Sequence, residues 1–145
     1  MATRTQILTE ARTWIGTPYH HQGRCKGAGA DCVGVVLGVA RSLQVSSFNT
    51  TAYGRYPKGE QLRQLLHEHA VFVANDTPWL PAQIALMRFD SEPQHLGILS
   101  GKPDDLYLIH AYSNLGKAAE HRLADVWRAR VLERFEFPLL TEGVS

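Results

Sequence analysis

The chain has 145 residues, of which 44% are hydrophobic and 20% charged. That is ordinary globular composition at the size of one domain, and such a chain buries roughly 70% of the surface its unfolded form exposes, so it needs no disulfide framework to fold. Fifteen Lys and Arg against fourteen Asp and Glu leave a formal charge of +1, which excludes a polyanion binder driven by bulk charge but not a local basic patch.

Residues 3–15 predict a first helix, with Ile7, Leu8, Ala11, Trp14 and Ile15 at helical spacing and Thr3 or Thr5 as its cap. Gly16-Thr17-Pro18 ends it. No apolar run of signal-peptide length is present near Met1. Residues 20–30 are polar and glycine-rich and predict a loop. Residues 31–44 are ambiguous: Val33, Val35, Val36 and Val39 favour a strand, whereas the length and the Asp31 cap candidate favour a buried helix. Gly34 and Gly38 would then share one face and permit close approach. The longest apolar stretch, Val33 to Ala40, is too short to span a membrane.

Residues 45–59 predict a loop, and residues 60–70 a short amphipathic helix on Leu62, Leu65 and Leu66. Four short apolar runs follow, at 84–89, 95–100, 106–112 and 130–137, and predict an antiparallel sheet. Helices first and strands afterwards indicate an α+β fold, expected as a single domain over 1–145.

Seven histidines and two cysteines, Cys25 and Cys32, are the side chains that could carry chemistry. The cysteines stand further apart than a zinc pair usually does, and no second cluster completes a metal set. No metal or other cofactor is therefore expected. Cys32 sits where the glycine-rich loop meets the predicted helix. A thiol there feels the positive end of the helix dipole, which favours thiolate and a nucleophilic role; the alternative is a buried small hydrophobe. In the two strands around Gly101–Asp105, a symmetric hairpin with Ser100 opposite Asp105 brings His95 opposite His110 on one sheet face. Cys32, His95 and His110 then supply a nucleophile, a base and a group that orients the base. His67 and His69 at a helix end, His121 in the polar stretch Glu120-His121-Arg122, and His20-His21 in the loop are expected to be solvated. Cys25, with no helix start beside it, reads as a bystander.

Ala11-Arg12-Thr13-Trp14-Ile15-Gly16-Thr17-Pro18-Tyr19, then Asp31-Cys32-Val33-Gly34, His95-Leu96-Gly97-Ile98 and Leu108-Ile109-His110-Ala111 follow one another in order. Together they resemble an NlpC/P60-family cysteine peptidase over roughly residues 4–137. The small members encoded by phages, prophages and gene transfer agents, which belong to a tail tip, are the most similar kind.

The resemblance implies a papain-like fold with helices packed on an antiparallel sheet. It implies cleavage of peptidoglycan stem peptides, typically at the D-γ-glutamyl–diaminopimelate bond. It assigns Cys32 as nucleophile, His95 as base, and His110 as the residue orienting it. Tyr19 and Asp31 match supporting positions beside the nucleophile, and the Cys32 N–H an oxyanion donor. Expected partners are peptidoglycan peptides and tail-tip or baseplate proteins, with no nucleic acid and no membrane span. A chain made in the cytoplasm without a signal peptide would be carried by a phage-like tail to act in the target cell's periplasm. Val33 stands where the family has serine, and Ala82-Gln83 where it often has Gly-Asp. Other thiol chemistry on the same fold (amidase or acyl transfer) and a structural tail-tip or hub role with masked or vestigial activity are the alternatives.

Overall fold

The structure is a computed structural model and describes residues 1–50, 53, 60–89 and 92–141. The first helix, α1 (Arg4–Arg12), begins at a capping box: the Gln6 N–H donates to Thr3 Oγ1 at 3.1 Å and the Thr3 N–H to Gln6 Oε1 at 2.9 Å. It stops short of the expected residue 15, yet Trp14 is buried in the turn that follows. Within the expected loop, β1 (Arg24–Cys25) and β2 (Gly29–Ala30) pair as a two-stranded ladder.

The valine-rich segment is helical: α2 (Cys32–Ser42). Asp31 is extended and accepts from the Gly34 N–H at 2.8 Å, so a local cap together with burial along the helix overrides the strand preference of valine. Both glycines are required by close approach. A Cβ on Gly38 would lie 2.1 Å from Trp14 Cζ2, and one on Gly34 would lie 2.1 Å from the Gly23 carbonyl oxygen. α3 (Gln61–His69) buries Leu62 and Leu66. Of the loop expected over 45–59, residues 45–50 and 53 are in neither helix nor strand, and the others lie outside the described residues. No described helix is long and apolar enough to cross a membrane.

Six strands form one antiparallel sheet: β3 (Val71–Val73), β4 (Ile84–Phe89), β5 (Glu92–Lys102), β6 (Asp105–Tyr112), β7 (Lys117–Arg122) and β8 (Val131–Glu136), in the order β3-β8-β4-β5-β6-β7. A short helix, α4 (Asp125–Arg128), follows β7. The four expected strands are present. The two edge strands β3 and β7 and the helix α4 were not expected, because none carries a long periodic apolar run.

Alternation along the strands divides two cores. Ile84, Leu86, Leu96, Ile98 and Ile109 pack with α1 and α2, whereas Ala85, Met87, Leu99 and Leu108 pack with Trp79 and Trp127. Arg134, buried on β8, donates to the carbonyls of Pro78, Ala74 and Thr77 in the segment before β4 and to Gln83 Oε1. It holds the 74–80 segment by satisfying carbonyls that no strand pairs.

The β5–β6 hairpin differs from the symmetric one by two residues. Lys102 pairs with Asp105 and Ile98 with Ile109, leaving Pro103-Asp104 as a two-residue turn. Because side chains alternate with period two, a two-residue shift keeps every side chain on its expected face.

Candidate active site

In that register His110 stands opposite Gly97, and a Cβ placed on Gly97 would lie 3.5 Å from His110 Cβ. His95 and His110 are therefore diagonal rather than directly opposed, a separation that aromatic side chains bridge. His95 is further aimed by a bulge. Met87 pairs with His95 and Arg88 with Pro93, so Gln94 is an extra residue immediately before it. The outcome is a direct contact, His95 Nε2 to His110 Nδ1 at 2.6 Å, between two buried rings exposed by only 3% and 1%.

The line of imidazoles continues. His110 Nε2 lies 2.7 Å from His121 Nε2, and His121 Nδ1 lies 2.9 Å from the carbonyl oxygen of Arg122. His121, set aside in the sequence as solvated, stands opposite Leu108 on β7 and belongs to the same face. Three histidines on three adjacent strands thus form one connected row. Phe89, Tyr112 and Trp127 enclose it. Tyr112 stacks on His110 at 5.8 Å between centroids, Trp127 meets His110 edge-on at 5.0 Å, and Phe89 lies 5.2 Å from His95. Arg130 covers the Phe89 and Trp127 rings from 5.1 and 4.9 Å. Tyr112 could have been found by counting two residues on from His110. Neither Trp127 nor His121 had a periodic signal.

Burial is the main reason that His95 is held down to about 3, with Arg130 and His121 adding to it. Burial likewise holds His110 down to about 2, with His95 and His121 contributing. Both rings are neutral at pH 7.

Cys32 opens α2 as expected and is half-buried against the main core. Its sulphur meets β5 at the backbone of Leu96, the residue next to His95, and also the backbone at Val33 and Cys32 itself. These contacts favour thiolate but are outweighed. Burial, and then the Asp31 carboxylate, push the thiol up to about 12. The direction is opposite to the one a helix start alone would give. The helix start is there, but burial of the sulphur and the adjacent Asp31 carboxylate oppose it.

Asp31 is buried and fully engaged. Besides the Gly34 cap it accepts from the Gln22 N–H at 2.7 Å, from the Tyr53 hydroxyl at 2.7 Å and from Arg24 Nη1 at 3.2 Å. Arg24 also donates to the Tyr53 hydroxyl at 2.7 Å, to Asn49 Oδ1 at 2.8 Å and to the Thr50 carbonyl. Asp31 is thus the knot that joins α2 and β1 to Tyr53, one residue before the thiol. Tyr19 is half-buried on the main core. Its N–H donates to the Gly116 carbonyl at 2.8 Å, and it bridges Ala30, next to Asp31. Val33 is buried in the main core, which explains a hydrocarbon where the resemblance has serine. Ala82 adopts φ +74°, a conformation suited to the glycine that the resemblance has there.

Cys25 is exposed. His67 and His69 are not simply solvated: His67 stacks on Phe72 at 5.3 Å, and His69 on Phe48 at 3.6 Å. Among the described residues no group of three or more His, Cys, Asp or Glu side chains is arranged to hold a metal ion.

No family model and no curated protein matches the chain. Solved structures do. A Staphylococcus aureus subsp. aureus Mu50 protein described as similar to a lipoprotein of the NLP/P60 family superposes with a TM-score of 0.64 at 14% identity, over 93% of this chain and 41% of that one. The NlpC/p60 domain of the peptidoglycan hydrolase SagA superposes with a TM-score of 0.60 at 20% identity, over 94% of this chain and all of that domain. The chain thus spans less than half of the staphylococcal protein and the full length of the SagA domain. At these identities the likeness is one of architecture, and it agrees with the order of helices and antiparallel strands: the chain has the α+β fold of NlpC/P60 domains.

Proposed function

We propose that the chain is a cysteine endopeptidase that hydrolyses peptidoglycan stem peptides at a D-γ-glutamyl–diaminopimelate type bond, using Cys32, His95 and His110. The observation that carries this reading is the buried 2.6 Å contact between His95 and His110, beside the β5 backbone on which the Cys32 sulphur rests. The SagA domain, named as part of a peptidoglycan hydrolase, shares the fold over its full length.

The resting pair is a neutral thiol and a neutral imidazole. Attack is therefore coupled to proton transfer: the Cys32 proton passes to His95 Nδ1 as sulphur bonds to the scissile carbonyl carbon. The Cys32 N–H, at the first turn of α2, donates to the oxyanion that forms. The imidazolium of His95 then protonates the leaving amine, and water, deprotonated by His95, releases the acid from the thioester. His110 keeps His95 oriented throughout. Asp31 and Tyr19 support the site without touching the reacting atoms.

The experiment is digestion of purified peptidoglycan by the wild type and by Cys32→Ala, with mass spectrometry of the soluble fragments. Stem-peptide cuts by the wild type alone are expected. Equal products from both proteins, or cuts at the sugar–peptide amide or in the glycan, would overturn the reading. Its extension to a phage-like tail tip rests on the motif resemblance and predicts co-purification with tail particles; recovery only as a free protein from particle-producing cells would refute that extension.

A further inference from the structure

Hydrogen bonding along the imidazole row has a direction. A carbonyl oxygen only accepts, so the His121 nitrogen that faces the Arg122 carbonyl, Nδ1, carries a proton. With a single ring proton on His121, its Nε2 offers a lone pair to His110 Nε2, 2.7 Å away, and His110 is the donor. His110 Nδ1 is left as an acceptor and takes the proton of His95 Nε2 at 2.6 Å. The last free position in the row is His95 Nδ1, which holds a lone pair.

We propose that His121 is a positioning residue that sets the tautomer of all three histidines and so leaves His95 Nδ1 unprotonated, as the base role proposed above requires. The Arg122 carbonyl is the fixed end of the row. Without His121, His110 Nε2–H loses its acceptor and the ring is free to carry its proton on Nδ1 instead. It would then oppose the His95 Nε2–H and drive the base into its unproductive tautomer. The surroundings favour the ordered arrangement, because the apolar enclosure by Tyr112, Trp127 and Phe89 supplies no competing hydrogen-bond partner from those ring faces. The assignment rests on reading His95 as the base, but the proton positions are measurable without any substrate.

The test is 15N NMR of the imidazole rings in the full chain at neutral pH. His95 and His110 are expected as Nε2–H tautomers and His121 as the Nδ1–H tautomer. A His110 ring protonated on Nδ1, or an imidazolium at any of the three, would overturn the proposal. In the second arm, His121→Ala is expected to lower kcat about tenfold with little change in KM and to shift His110 toward the other tautomer. His121→Gln, whose carboxamide oxygen can accept from His110, is expected to restore both. A purely structural role for His121 would alter stability and leave the wild-type tautomer pattern unexplained. If the wild type shows the expected tautomers and cleaves no peptidoglycan, the hydrolase reading fails and the row stands. If it cleaves peptidoglycan with other tautomers, the row fails alone.

Discussion

Burying two neutral imidazoles makes the fold sensitive to acid in a window where carboxylates contribute little. In the unfolded chain a histidine takes up a proton near pH 6.5, whereas His95 and His110 stay neutral in the folded protein down to about 3 and about 2. Between those limits the unfolded state binds more protons, so stability is full above about pH 6.5 and is lost as pH falls. From pH 7 to pH 5 each ring forfeits about 2 kcal/mol, or about 4 kcal/mol together. Glu10 and Glu120 sit below their ordinary value of 4.5 in the folded protein, held by Lys26 and Arg12 against the opposing effect of burial, so their losses begin at more acid pH. The assay is urea unfolding followed by tryptophan fluorescence at both pH values. His110→Asn, which cannot titrate there, should cut the loss to about 2 kcal/mol whatever its own stability. A wild-type loss under about 1 kcal/mol, or a variant that loses as much as the wild type, would refute the reasoning.

Three further outcomes follow from the site. Iodoacetamide modification of Cys32, resolved from exposed Cys25 by peptide mapping, should show a midpoint well above pH 8.5, since a thiol near 12 is less than ~0.1% ionised there; a midpoint at or below 8.5 would contradict this. Asp31→Asn keeps a capping oxygen but removes the charge that raises the thiol and that Arg24 pairs with. Cys32 should then alkylate at lower pH while the protein loses about 1–3 kcal/mol, and unchanged alkylation would show that Asp31 does not act on the sulphur. Gly38→Ala drives a methyl group to 2.1 Å from the Trp14 ring and should cost about 1–3 kcal/mol in the same urea titration, with no loss taken as refutation.

Legibility in the sequence followed the range of the interactions. Asp31 and Cys32 were readable because a cap and the helix it starts are neighbours in the chain. His95 and His110 were readable because sheet faces depend on parity, which survived a hairpin off by two residues. His121 was not, because β7 is a polar edge strand, and nothing in Glu120-His121-Arg122 announces a ladder until β6 pairs with it. Trp127 comes from a four-residue helix, too short for a period. The helix start at Cys32 is written locally, whereas the desolvation that opposes its pull on the thiol comes from packing against residues distant in the chain.

The bulge before His95 and the two-residue turn after Lys102 fix where β5 lies against β4 and β6, and the imidazole contacts span the β5–β6 and β6–β7 ladders. A slip of β6 by one residue would turn His110 to the opposite face and break both nitrogen–nitrogen contacts at once. The row therefore acts as a vernier for the sheet. A shift in strand registry would thus break the row outright rather than stretch it.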